Sequence, residues 1–135
     1  MVIVDSDALI GLISDDDNLH KRCLQIQRYL ISNNLQLVIP YSVVLEAGSA
    51  LARVKNRPDL TAKLLNDYEE SDDQVNYIVA TLVAKLYNPK TSKKNTPFDH
   101  YVLALAKKND IKYVFSFDSF YKKNGLTLVE DLVKK

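Results

Sequence analysis

Four acidic residues far apart in the chain, Asp5, Glu46, Asp99 and Asp118, stand in surroundings unlike those of ordinary surface carboxylates. Asp5 follows the apolar run Val2-Ile3-Val4 and precedes a second apolar segment, where a charge is costly unless something offsets it. Asp118 closes the segment Tyr113 to Phe117, and Glu46 lies about one turn into the segment that follows Leu35 to Ile39. Asp99 lies in the first turn after Thr96-Pro97. Four carboxylates gathered at one place repel one another and hold protons more tightly unless a cation neutralises them. Hard oxygen donors without a matching set of Cys or His select Mg²⁺ or Mn²⁺ rather than zinc. Such an ion activates water and offsets charge developing at phosphorus, the chemistry of phosphodiester hydrolysis.

Each acid also has a plainer reading. Asp99 is the third residue after Thr96 and fits a capping box. Asp118 fits the start of a turn, and Glu46 an exposed helix position. For Asp5 the plainer reading is a helix cap, but this acid is the hardest of the four to dismiss because it directly follows an apolar strand. Asp7, two residues on, can add a ligand, cap the first helix from within its first turn, or hold a water. Ser6 is a candidate helix cap and a candidate supporting residue for the site.

The elements that must position these acids follow from periodicity. Val2 to Val4 predicts a strand, and Leu9, Ile10 and Ile13 a helix. Asp17 or Asn18 caps a helix through Ile31 that Asn33 and Asn34 stop. Leu35 to Ile39 predicts the second strand, and Ser42 caps a helix running to Val54. Further helices are expected over Leu60 to Tyr68 and Val75 to Leu86, with Val75 to Val79 alternatively a short strand. Asn88 to Asn95 reads as a loop, and Thr96-Pro97 opens a helix through Lys108. Tyr113 to Phe117 and Leu126 to Val129 predict the remaining strands, with a turn at Gly125. The alternation implies an α/β fold: one domain over residues 1–135, with helices in outer layers around a mostly parallel sheet of four to five strands. Ligands in such sheets sit at the carboxyl ends of the strands, where Asp5 and Asp118 fall.

A size of 135 residues with 47% hydrophobic content, three glycines and four prolines suits a compact fold. No apolar run long enough for a membrane span and no export signal is apparent, so a cytoplasmic location is expected. The single cysteine, Cys23, reads as a packed thiol. Basic and acidic residues number 18 and 17, so a polyanion must be held by a local patch or through metal. Arg53, seven residues after Glu46 on nearly the same helix face, and Lys93 and Lys94 in the loop before Asp99 are candidate phosphate contacts. Lys55, Arg57 and Lys90 lie close to them in sequence, whereas the acidic stretch Asp67 to Asp73 is expected to face solvent. Tyr41 and Phe98 flank the acids and can stack on bases, with core packing the expectation. His20 and His100 are assigned structural or surface roles, since His100 points about 100° away from Asp99 on its helix.

The segments VDSDALIGL, IPYSVVLEAGSALAR, TPFDHYVLALAKK and YVFSFDSFYKKNGLTLV together resemble the PIN domain family, in particular the small VapC-type toxins. That resemblance implies a three-layer α/β/α ribonuclease fold with Asp5, Glu46, Asp99 and Asp118 as catalytic, Mg²⁺- or Mn²⁺-binding acids and Ser116 as partner of Asp118. It also implies an RNA substrate, a homodimer and a cognate antitoxin protein. Asp7 departs from the commoner pattern, which has Ser, Asn or Thr there. Non-toxin PIN-like RNA processing and a non-catalytic interaction module are alternatives. Asp5-Ser6-Asp7 also resembles the nucleophile motif of haloacid-dehalogenase-type phosphatases, although Leu9 stands where that family usually has Thr or Val.

Overall fold

The β-branched run Val2-Ile3-Val4 is wholly buried and forms the first strand, β1, near the middle of the sheet. It is followed in chain order by α1 (Ser6–Ile13), α2 (His20–Ser32), β2 (Leu37–Val38), α3 (Tyr41–Arg53) and α4 (Pro58–Asp67). Then come α5 (Ala80–Leu86), α6 (Pro97–Lys108), β3 (Tyr113–Phe115), α7 (Ser119–Lys123), β4 (Thr127–Leu128) and a 3-10 turn over Val129–Leu132. The structure is a computed structural model that describes residues 1–70, 74–91 and 93–134.

The four strands pair in the order β2-β1-β3-β4, and every pairing is parallel. Ile3 sits between Val38 on one side and Val114 on the other. Helices flank the sheet in a three-layer α/β/α arrangement, which explains why β1 is apolar at every position rather than alternating. The chain runs outward from β1 to β2 and, in the opposite direction, from β3 to β4. The carboxyl ends of β1 and β3 therefore lie side by side where the winding reverses, the place at which parallel sheets open a crevice.

Several elements are shorter than their periodicity suggests, each for a local reason. The ladder between β1 and β2 pairs only Leu37 and Val38, and Pro40, which has no N–H to give a strand, becomes the residue preceding α3. Ser42, expected as the cap, is the second residue of that helix, and Asp5 rather than Ser6 caps α1. Only Ala80–Leu86 of the expected helix over Val75 to Leu86 forms; residues 75–79 are neither helix nor strand. There Asn109 Oδ1 accepts from the Asn76 N–H at 2.7 Å and Asn109 Nδ2 donates to the Asn76 carbonyl at 3.0 Å, substituting for helical bonds, while Val75 and Val79 are buried. β4 covers two of the four residues expected. Asn34 ends α2 with φ of 54°, and Gly125 turns the chain with φ of 95°, a conformation that suits glycine. Of the acidic stretch Asp67 to Asp73, Asp67, Glu69 and Glu70 are exposed, while residues 71–73 lie outside the described residues.

The packing of α1 on α2 depends on a glycine. A Cβ at Gly11 would stand 2.5 Å from Cys23 Sγ and 3.6 Å from Cys23 Cβ. The same carbonyl-bearing residue is bonded by His20 Nδ1 at 2.7 Å, so the helices have little freedom to separate. His20 thus has a structural role, and the buried Cys23 thiol, pushed up to about 12 chiefly by desolvation, is a packing group. Gly11→Ala is expected to lower stability by about 1–3 kcal/mol in urea unfolding through overpacking. Combining it with Cys23→Ala is expected to return part of that loss; losses that simply add contradict this close approach.

Candidate metal centre

Three carboxylates from three separate elements meet at the carboxyl edge of the sheet. Asp5 follows β1, Glu46 lies in the second turn of α3, and Asp99 lies in the first turn of α6. Each presents an oxygen, and these oxygens lie within 4.8 Å of one another. Asp5 and Asp99 are buried and Glu46 is half-buried, so Glu46 forms the solvent side of the group.

Local structure explains how two acids come to be buried there. Asp5 caps α1, its Oδ1 accepting from the Ser6 N–H at 2.8 Å. Asp99 belongs to a capping box with Thr96, its Oδ2 accepting from the Thr96 N–H at 3.1 Å. The capping reading and the site reading of Asp99 are therefore two properties of one placement. Both acids stand at helix N-termini, where the peptide dipoles favour negative charge.

Asp118 stands beside this group and is not within the 4.8 Å cluster. β3 stops at Phe115, short of the expected Phe117, and Asp118 caps the unanticipated α7 by accepting from the Phe120 N–H at 2.9 Å. Its second oxygen accepts from Asn95 Nδ2 at 3.0 Å. Asp7 accounts for the early end of β3. Its Oδ2 accepts from Ser116 Oγ at 3.0 Å and from the Phe117 N–H at 2.8 Å, and its Oδ1 accepts from the Ala8 N–H. Ser116 Oγ in turn accepts from the Asp118 N–H at 3.1 Å. Asp7 thus ties the start of α1 to the turn that carries Asp118, while Ser6 is the first residue of α1.

The electrostatics follow from burial and crowding. Desolvation, with Asp7 and Asp99 nearby, raises Asp5 to about 7, against the lowering effect of hydrogen bonds from Tyr121 and Ser6. Asp99 is raised to about 6 by desolvation, then by Glu46 and Asp118, and is drawn down by contacts from Thr96 and Asn95. Asp7 is raised as well, through burial. Acids that resist ionisation because they are buried and crowd one another are a donor set that a divalent cation relieves, and an all-carboxylate set fits Mg²⁺ or Mn²⁺.

The residues around the group are mixed. Arg53, Lys93 and Lys94 are exposed. Lys55 pairs with Asp17 at 3.0 Å and Arg57 with Asp59 at 2.9 Å. Tyr41 and Phe98, expected in the core, are instead 46% and 52% exposed. Tyr41 packs its ring on Tyr68, and Phe98 precedes the buried Asp99 on a helix whose inward face is already filled. His100 is buried between the Tyr87 and Phe120 rings, with Nδ1 bonded to the Thr96 carbonyl at 2.9 Å. Two residues near the acids escaped the sequence reading, Asn95 and Tyr121. Tyr121 lies three residues after Asp118, a helical spacing that would have placed it on the same side had the Ser119–Lys123 helix been expected.

A family profile for the PIN domain matches residues 2–125. No curated protein and no solved structure matches the chain.

The raised acids fix a pH dependence. A carboxyl that holds its proton more tightly when folded stabilises the protein fully below about pH 4, and that contribution is lost as pH rises through its folded value. With Asp5 at about 7 and Asp99 at about 6, metal-free protein is expected to lose stability progressively between about pH 4 and pH 8 in urea titrations. Asp5→Asn is expected to flatten the profile; parallel profiles contradict the assignment.

Proposed function

The chain belongs to the PIN domain family, and from that premise we propose that it is a Mg²⁺- or Mn²⁺-dependent endoribonuclease, the toxin of a toxin and antitoxin pair. PIN domains are in general metal-dependent nucleases, and the group formed by Asp5, Glu46 and Asp99 is compatible with that chemistry. The observation that carries the reading is the meeting of three acids, from positions 5, 46 and 99, at the sheet edge where a parallel fold binds ligands. A divalent ion held by such acids supplies water activation and offsets charge on the phosphate and the leaving oxygen.

The protein's own groups have distinct parts in this proposal. Asp5 and Asp99, fixed by their helix caps, are the rigid ligands, and the half-buried Glu46 completes the set and orients the attacking water. Asp118 contributes charge beside Asp99 and anchors the loop through Asn95, with Ser116 and Asp7 holding its turn. Exposed Arg53, Lys93 and Lys94 are suited to phosphates of the RNA chain, contacts that position a strand without reading its sequence. Exposed Phe98, next to Asp99, is available to stack on a base. The resemblance of the four acidic motifs to VapC-type toxins supports a homodimer and a cognate antitoxin. Among the described residues no helix is long and apolar enough to cross a membrane, and the cytoplasm is the proposed location.

Incubation with structured RNAs and Mn²⁺ tests the reaction. The parent is expected to cleave, and Asp5→Asn or Asp99→Asn to lower the rate by more than about 100-fold, the scale of removing one group that stabilises developing charge. Equal rates in all three proteins contradict the assignment of these acids. Hydrolysis of small phosphomonoesters alone would favour the phosphatase reading.

A further inference from the structure

Tyr121 is fully buried, and its hydroxyl donates a 2.6 Å hydrogen bond to Asp5 Oδ2. The ring packs against Phe120 at 5.2 Å, a contact that phenylalanine would make equally well. A buried hydroxyl is costly unless bonded, so the oxygen is stabilised here through Asp5. The bond is of the strong, charge-assisted kind when Asp5 is ionised. Asp5 Oδ1 meanwhile accepts from the Ser6 N–H at 2.8 Å. With a separate donor on each oxygen, the carboxylate cannot turn about its Cβ–Cγ bond without breaking both bonds.

The hydroxyl is itself held firmly. The Tyr121 carbonyl accepts from the Asn124 N–H at 3.1 Å and the Leu126 N–H at 3.0 Å. Its helix begins at Asp118, whose carboxylate caps it and is bonded by Asn95. One short helix thus reaches the acidic group at both Asp118 and Tyr121.

We infer that Tyr121 is a positioning residue for the metal centre: its hydroxyl locks the Asp5 carboxylate in the orientation that meets Glu46 and Asp99 around a divalent cation. This rests on the metal-dependent reading given above. An outer partner of a ligand typically governs affinity by 10–100-fold or so, without being a ligand itself.

Tyr121→Phe removes only the oxygen. Titration of free Mn²⁺ by electron paramagnetic resonance is expected to show affinity lowered about 10–100-fold. The RNA cleavage rate of the variant is expected to return to the parent's at saturating Mn²⁺. A metal-free urea midpoint separates this from a packing defect: a lower midpoint with unchanged Mn²⁺ affinity overturns the positioning role, as does unchanged affinity with an unchanged midpoint. A parent that binds Mn²⁺ but cleaves no RNA overturns the nuclease reading, and the affinity comparison still decides the role of Tyr121. A parent that binds no Mn²⁺ overturns both.

Discussion

A carboxylate at the first turn of a helix has two oxygens and an immediate use for only one of them. Asp5, Asp99 and Asp118 all exploit this: each accepts a backbone N–H at the start of its helix through one oxygen. The other oxygen is left to a neighbour or to the site. Capping offsets part of the cost of burying the acid, and the helix dipole favours the same charge. The rest of the arrangement depends on this division, since it holds acids at the sheet edge through backbone N–H groups. Burial and, after it, crowding remain, which is why Asp5 and Asp99 keep their protons to unusually high pH.

The parallel sheet supplies the other half of the geometry. β1 and β3 are adjacent, with Val4 opposite Phe115, so the residues after each strand emerge together. Asp7 then draws Ser116 and Phe117 toward α1 and ends β3 early. The turn so formed presents Asp118 to Asn95 and starts the helix that carries Tyr121 to Asp5. A residue that departs from the commoner family pattern therefore braces the two strand ends against each other.

Much of this was legible in the sequence because the signals were local. The β-branched run before Asp5, the Thr96-Pro97 start and the breaks at Asn34 and Gly125 each specify backbone conformation within a few residues, and each appears where expected. The elements that differ are those decided by distant partners. Val75 to Val79 has a helical apolar period, yet the segment is held by Asn109, more than thirty residues away. The end of β3 is decided by Asp7, over a hundred residues earlier. Exposure of Tyr41 and Phe98 likewise depends on which helix faces were already filled. Asp99 was legible by itself as a cap and Asp118 as a turn residue; what periodicity does not carry is that Asp118 lies beside the cluster while Tyr121 reaches into it.

The central claim is that three acids from distant parts of the chain share one cation. A crystal soaked in Mn²⁺ and recorded at the manganese absorption edge tests it directly. An anomalous peak bounded by the Asp5, Glu46 and Asp99 carboxylates is expected. A peak elsewhere with that group left empty, or no peak at saturating Mn²⁺, would contradict it.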